Sequence, residues 1–124
     1  MPYYDFQEET QGIFTPLAVI QQIAATPSAL IINTGRKTRI NEIIFHNTGA
    51  ALEIIKLYYV PPSAGALGTA AITNLFLKLF LDIDETAHQT FQKELSFVDF
   101  NHAIFGESTT AGKVNVIFLG DKGV

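Results

Sequence analysis

Apolar and polar residues alternate most clearly between Leu75 and Asp82, where the sequence is Leu-Phe-Leu-Lys-Leu-Phe-Leu-Asp. Successive side chains of a strand point to opposite faces, so the four leucines share one face, and Phe76, Lys78 and Phe80 share the other. The leucine face predicts packing against a core. The opposite face is too apolar for open water and also carries a charge, which favours a strand that meets a partner chain. A short buried helix is the alternative, because short apolar runs do not distinguish the two.

The rest of the chain shows further short runs that are typical of strands and are bounded by turn residues. The predicted strands are residues 17–25, 29–33, 38–46, 51–60, roughly 72–83, 88–95, 103–109 and 113–119. Residues 17–25 have a helical alternative, in which Thr15 before Pro16 caps a short helix. Residues 88–95 are more polar than the other runs, which indicates an outer strand.

The turn residues predict how these strands connect. Asn33-Thr34-Gly35 makes 38–46 the return strand of 29–33, and Thr110-Ala111-Gly112 joins the last two strands. About eight short strands, frequent turns and no convincing helix predict an all-β fold, an antiparallel β-sandwich or jelly roll. We expect this domain to span residues 17–124 and to follow an extended N-terminal arm, residues 1–16.

The arm combines aromatic and acidic residues without a clean period. Its aromatic residues are Tyr3, Tyr4, Phe6 and Phe14, and its acidic residues are Asp5, Glu8 and Glu9. A disordered tail is one interpretation, but disordered tails are usually poor in aromatic residues. We therefore predict an arm that docks on a neighbouring subunit or protein.

Composition narrows the classes of function. Only 16% of the 124 residues are charged and 48% are hydrophobic, so we expect other subunits to cover part of a largely neutral surface. The net charge of −4 argues against binding to nucleic acid, which needs a concentrated basic surface. The absence of cysteine excludes disulfides, thiolate metal sites and cysteine nucleophiles. The sequence has no signal-peptide pattern and no apolar run of membrane-span length, so we expect synthesis in a cytoplasm and no membrane partner.

Three groups of residues are candidates for chemical sites. The histidines are His46, His88 and His102, and the densest acidic group is Asp82, Asp84 and Glu85. No histidine pair has a metal-ligand spacing, and the acidic group lacks the other ligands of a calcium loop. The only basic cluster is Arg36, Lys37 and Arg39, which is either a solvated turn or a contact with an acidic partner such as a neighbour's arm. No nucleotide-binding or hydrolase motif is present, so we expect no catalytic, cofactor or metal site and no small-molecule substrate.

Four aromatic residues of the domain are the best interface candidates. They are Tyr58, Tyr59, Phe76 and Phe80. Both faces of their strands could be buried within one chain, but a two-layer sandwich has only one inner face per sheet. Leaving a phenylalanine in water forgoes roughly 1.5–3 kcal/mol of burial. We therefore expect a closed homo-oligomer that covers this surface.

Two segments carry a resemblance to a known family. They are SALIINTGRKTRINEIIFHNTGAALEIIKLYYVPPSAG, beginning at Ser28, and TTAGKVNVIFLG, ending at Gly120. The first has a strand, a basic turn, a strand that ends in Asn-Thr, and a strand that closes on Val-Pro. The second reads as a hairpin, with a small-residue turn followed by Val-Asn-Val, in which the last two strands would pair. Together they resemble a small β-sandwich module common among tailed-phage virion proteins, although residues 84–87, residues 96–101 and the arm are not distinctive of it.

The resemblance implies a structural function. Members of the group include capsid decoration (cement) proteins, which are commonly trimeric, and parts of tails, baseplates and fibres. The leading hypothesis is a non-enzymatic, trimeric decoration protein that is made in the host cytoplasm and binds the major capsid protein on the virion surface. Its arm would lie on neighbouring shell subunits. The alternatives are a tail, baseplate or fibre component and, in a different class, a carbohydrate-binding β-sandwich that uses Phe97, Asp99, Phe100 and Asn101.

Overall fold

The chain folds into two antiparallel β-sheets that pack as a sandwich. The computed structural model describes residues 15–17, 20–34, 37–97 and 100–122. The strands are β1 (Thr15–Pro16), β2 (Gln21–Gln22), β3 (Ser28–Ile32), β4 (Thr38–Asn47), β5 (Glu53–Val60), β6 (Leu75–Leu81), β7 (Thr86–Phe97), β8 (Ala103–Ser108) and β9 (Val114–Lys122). A single 3₁₀ turn, Ile72–Asn74, leads into β6. The predicted all-β sandwich is confirmed, while the jelly-roll assignment stays a prediction.

The two sheets contain five and four strands. In the larger sheet the order is β1, β9, β4, β7, with β2 also paired to β9, and in the smaller sheet it is β3, β8, β5, β6. β6 and β7 are therefore edge strands, as the polar composition of residues 88–95 predicts for β7. Of the links from β2 to β9, only the link between β5 and β6 stays within one sheet.

This topology contradicts both predicted strand pairings. β3 pairs with β8 rather than with β4, and β9 pairs with β4 rather than with β8. The predicted turns do reverse the chain, but turn residues do not determine which of the two sheets the next strand joins. β4 and β9 pair along most of their length in the larger sheet.

The single strand predicted for residues 17–25 is also wrong. Thr15 pairs with Gly120 and Gln21 with Val116. The chain advances six residues from Thr15 to Gln21, but only four residues separate their partners, Gly120 and Val116. The segment between β1 and β2 therefore contains two residues more than β9 can pair. Thr15 and Pro16, which the sequence places in the arm, belong to β1. Ile23, just beyond β2, is fully buried in the core.

The main core lies between the sheets and confirms one predicted alternation in full and a second in part. Val114, Val116 and Phe118 of β9 are buried, and three of the four leucines of β6, Leu77, Leu79 and Leu81, pack against the same cluster. β4 changes register between Ile40 and Glu42, and this irregularity lets both Ile40 and the odd-numbered Ile43 and Phe45 face the core. The other buried members are Ile23, Leu30, Ile31, Ile55, Leu57, Leu81 and Ile104.

A second, smaller cluster lies on the outer face of the four-stranded sheet. Its buried members are Tyr58, Val60, Ala103 and Phe105. Ala70 and Leu75 pack against it, so the connection from β5 to β6 folds back over this part of the sheet. A side chain on Gly68 would meet the carbonyl oxygen of Pro61 at 2.4 Å, because this connection turns closely on itself.

Candidate interaction surface

The exposed part of the four-stranded sheet lies along β5 and β6, beyond the folded-back connection. Ile54 pairs with Phe80 and Lys56 pairs with Lys78 in the antiparallel register. Phe80 is 57% exposed and Phe76 is 37% exposed. We call these five residues, Ile54, Lys56, Phe76, Lys78 and Phe80, the Phe80 surface.

The exposure of this surface follows from the alternation of β6. The positions of Leu75, Leu77 and Leu79 are half-buried and Leu81 is 1% exposed, whereas the intervening residues are exposed. Leu77, Leu79 and Leu81 hold β6 on the core, so Lys78 and Phe80 face away from it, as the sequence predicts. The prediction that all four leucines share one face is wrong, because the register shifts between Leu57 and Tyr58 and Leu75 packs with the outer cluster instead. Phe76 is the extra residue at this shift, and its ring contacts Tyr59.

The charges on this surface are both positive. Lys56 and Lys78 lie directly opposite each other on neighbouring strands, and none of the ion pairs in the described chain involves either lysine. The ammonium of Lys78 lies 5.4 Å from the centre of the Phe80 ring, within range of a cation–π contact. Glu107 lies opposite Lys56 on β8, so it offsets one of the two positive charges at most.

Tyr58 does not share this exposure. It is only 6% exposed, and it belongs to the small cluster under the β5–β6 connection. Its hydroxyl donates a short hydrogen bond to Oε1 of Glu107. That hydrogen bond raises the pKa of Tyr58 to about 12, and burial adds to the shift. Contacts within its own chain therefore bury most of the Tyr58 side chain, which the sequence predicts at an interface.

Tyr59 is half-buried and joins the two sheets. Its hydroxyl donates a hydrogen bond to the carbonyl oxygen of Ser96 at 3.0 Å. Its ring makes edge contacts with Phe76 and with His102, at centroid distances of 6.4 and 5.4 Å. Tyr59 therefore links Phe76 to the interior, which accounts for the lower exposure of Phe76 than of Phe80.

Tyr3, Tyr4, Phe6 and Phe14, the arm residues of the predicted interface, lie outside the described residues. The role of the arm stays a prediction. So does the assignment of Phe76 and Phe80 to a partner contact, because the structure holds one chain.

Sequence reasoning missed two other apolar surface features. Ile72, in the 3₁₀ turn before β6, is 74% exposed and extends the apolar character next to that strand. Ile20 is exposed beside Ile44 and Ile117 on the outer face of the five-stranded sheet. The pairing of Ile44 with Ile117 could have been found only with the correct β4–β9 register.

The basic turn is partly neutralised within the chain. Arg39 donates to both carboxylate oxygens of Asp121 at 2.8 Å, and this hydrogen bonding raises the pKa of Arg39. Glu94 lies 3.7 Å from the same guanidinium. Lys37 is exposed, and Arg36 lies outside the described residues.

The histidines and the acidic turn have local partners. His46 contacts the hydroxyl of Thr86 at 2.7 Å, and His88 contacts Glu42 at 2.7 Å. In the acidic turn, Glu85 accepts a hydrogen bond from the backbone of Asp82 at 2.7 Å. The described ranges contain no group of three or more His, Asp or Glu side chains placed to hold a metal ion. They also contain no helix long and apolar enough to cross a membrane.

Of the residues proposed for carbohydrate binding, only Phe100 and Asn101 have described side chains. Phe100 is exposed. The side-chain amide of Asn101 donates to the carbonyl oxygen of Gly65 at 3.0 Å, so it ties two loops together. The pair does not form a polar and aromatic site directed at solvent.

Comparison of the chain with protein-family models, curated proteins and solved structures found no match.

Proposed function

We propose that this chain is a non-enzymatic structural protein of a phage virion, a homotrimeric decoration protein that binds the major capsid protein at the shell surface. The observation that carries the proposal is the Phe80 surface. It combines an exposed phenylalanine with two lysines on the outer face of the smaller sheet, and exposed apolar side chains grouped with polar ones are typical of protein–protein contacts.

The energetic argument favours assembly around this face. Burial of one phenylalanine contributes roughly 1.5–3 kcal/mol. Covering Phe76 and Phe80 in three copies contributes on the order of 10 kcal/mol before the cost of association. Closed rotational symmetry is the ordinary way for identical chains to cover such faces, because it leaves none of them unmatched.

The strand order supports the same proposal. Consecutive strands alternate between the two sheets from β2 to β5 and again from β6 to β9. A two-sheet jelly roll has connections of this kind, and jelly rolls occur in viral capsid and lectin domains. Since a fold does not by itself specify a function, the argument rests on the surface together with the resemblance of two segments to phage virion modules.

The proposed mechanism is multivalent adhesion. Each copy in a trimer presents the same weak docking patches to the shell, so binding of one patch raises the effective concentration of the others. The sandwich supplies the rigid body, and the shell is stabilised because one trimer contacts several shell subunits.

The assembly part of this proposal is tested by the solution mass of the purified chain. We expect light scattering to give three times 13.6 kDa. We expect Phe80→Ser to shift the mass toward a single chain while circular dichroism keeps its β-sheet signal. The matched control is Phe100→Ser, which removes an exposed phenylalanine from a loop. A trimer that withstands Phe80→Ser contradicts the assignment of the interface.

A further inference from the structure

We propose that the Phe80 surface receives the N-terminal arm of a neighbouring copy, which adds along β6 as an extra strand. The inference rests on the self-association proposed above and names the part of the partner that this surface takes. It concerns residues 3–10 of the arm, which contain three aromatic residues and three carboxylates and no basic residue.

Charge complementarity is the first argument. Lys56 and Lys78 form a like-charge pair across β5 and β6, and like charges directly opposite each other destabilise a sheet. A carboxylate placed beside them would relieve this repulsion. The arm brings Asp5, Glu8 and Glu9, so the partner segment is acidic where the surface is basic.

The side-chain pattern is the second argument. In an extended segment, Tyr4, Phe6 and Glu8 lie on one face. When Glu8 is set opposite Lys78 in an antiparallel pairing, Phe6 falls opposite Phe80. The two apolar rings and the two opposite charges then meet in the same register.

The free edge of β6 is the third argument. Within the described residues β6 pairs only with β5, so its other backbone edge is open to an added strand. Strand addition to such an edge is a common mode of peptide binding, in which the backbone gives affinity and alternate side chains give specificity.

A simpler explanation accounts for only part of the pattern. A lysine on an edge strand commonly prevents unwanted pairing between sheets, and Lys78 could serve that purpose alone. Lys56, however, lies on β5, which is flanked on both sides by β6 and β8. Edge protection does not require a second lysine there.

The position of the arm favours a neighbouring copy over the same chain. The side-chain amide of Gln21 donates to Leu30 across the sheets, and Tyr59 reaches Ser96 of β7. The edge that carries β1 and β2 is therefore beside β3, and β6 lies at the opposite edge beside β7. An arm that leaves Thr15 would have to cross its own four-stranded sheet to reach β6. A contact between opposite edges of successive copies is head-to-tail and can close into a ring.

The test compares self-association of purified full-length variants by sedimentation velocity. We expect deletion of residues 1–12 and the double change Lys56→Glu with Lys78→Glu each to weaken association at least tenfold. We expect Glu8→Lys with Glu9→Lys, added to the double lysine variant, to restore it. The control Lys93→Glu with Lys113→Glu makes the same change in net charge at two other exposed lysines and should leave association unchanged.

Mixing separates a neighbour's arm from the chain's own arm. The deleted chain keeps an intact surface, and the double lysine variant keeps an intact arm, so together they should form a two-chain complex that neither forms alone. The single change Lys78→Glu places opposite charges across β5 and β6, so its melting temperature should equal or exceed that of the wild type. This outcome would show that lost association does not come from unfolding.

Several results overturn the inference. They are full association of the deleted chain, failure of the charge reversal to restore association, no complex in the mixture, and a wild-type chain that stays monomeric. The measurement uses no virus particles. A trimer that forms without the arm would remove this inference alone, whereas absence of the chain from virions would remove the proposed function and leave the arm contact intact.

Discussion

At the scale of single residues, Asn47 fixes the end of β6. Its side-chain amide is fully buried and donates to the carbonyl oxygens of Ala51, Leu81 and Asp82 at 2.8, 3.2 and 3.2 Å. Its side-chain oxygen accepts from the backbone of Gly49 at 2.8 Å. One side chain thus joins the β4–β5 link to the end of the strand that carries Phe80.

We expect Asn47→Ala to lower the free energy of unfolding by about 2–3 kcal/mol, because it removes all the hydrogen bonds of a buried side chain that joins two segments. Chemical denaturation measures this change. Asn115→Ala is the matched control, since Asn115 is only partly buried and its side chain makes no hydrogen bond that the structure records; there the loss should stay near 0.5 kcal/mol. Equal losses at the two positions would contradict the role given to Asn47.

The hydrogen bond between Tyr58 and Glu107 predicts a pH dependence. The pKa of Tyr58 is raised from 10.0 to about 12 in the folded chain. Between these values the unfolded chain loses the phenolic proton and the folded chain keeps it. The contribution to stability is therefore complete below pH 10 and is lost as the pH rises toward 12.

We expect Tyr58→Phe to remove this pH-dependent contribution to the free energy of unfolding. Denaturant unfolding near pH 8 should show a loss of about 1 kcal/mol from the missing hydrogen bond. Between about pH 10 and 11.5, the stability of the variant should fall less steeply than that of the wild type. Identical slopes would mean that the hydrogen bond to Glu107 does not hold the proton.

At the scale of elements, one face of β6 contributes to folding and the other face is proposed to mediate association. Leu81 is 1% exposed at the end of the core face, whereas Phe80 is largely exposed on the other face. Neighbouring residues of the same strand should therefore give opposite phenotypes.

We expect Leu81→Ala to cost about 3 kcal/mol of unfolding free energy, because it leaves a cavity in the core. Phe80→Ser should change the free energy of unfolding of the monomer by about 0.5 kcal/mol or less while weakening association. Urea unfolding at low protein concentration and sedimentation at high concentration separate the two effects. A large stability loss for Phe80→Ser would show that its ring belongs to the fold.

The strands were predictable where one face is buried, because burial imposes a period of two. This holds for Leu77, Leu79 and Leu81 of β6 and for Val114, Val116 and Phe118 of β9. The pairing of strands was not predictable, because Asn-Thr-Gly turns reverse the chain without choosing a sheet. The burial of Tyr58 was missed for a related reason, since it depends on the 61–74 connection folding over β5, and loop composition does not specify that contact.

At the scale of the whole molecule, the described residues expose apolar side chains on the outer faces of both sheets. They include Phe80 on the four-stranded sheet and the patch around Ile20 on the five-stranded sheet. A single chain with apolar residues on both outer faces is suited to a layered assembly, in which one face meets its own copies and another meets the shell. The proposed assembly would be consistent with a composition in which only 16% of residues are charged.

The central claim is that this chain decorates a virion shell. The most direct test is its copy number in intact virions purified from cells that produce it, by quantitative mass spectrometry against the major capsid protein. The account predicts a number comparable to that of the shell subunit. A few copies per particle would place the chain in the tail, baseplate or fibre, and absence from the particles would contradict the virion function altogether.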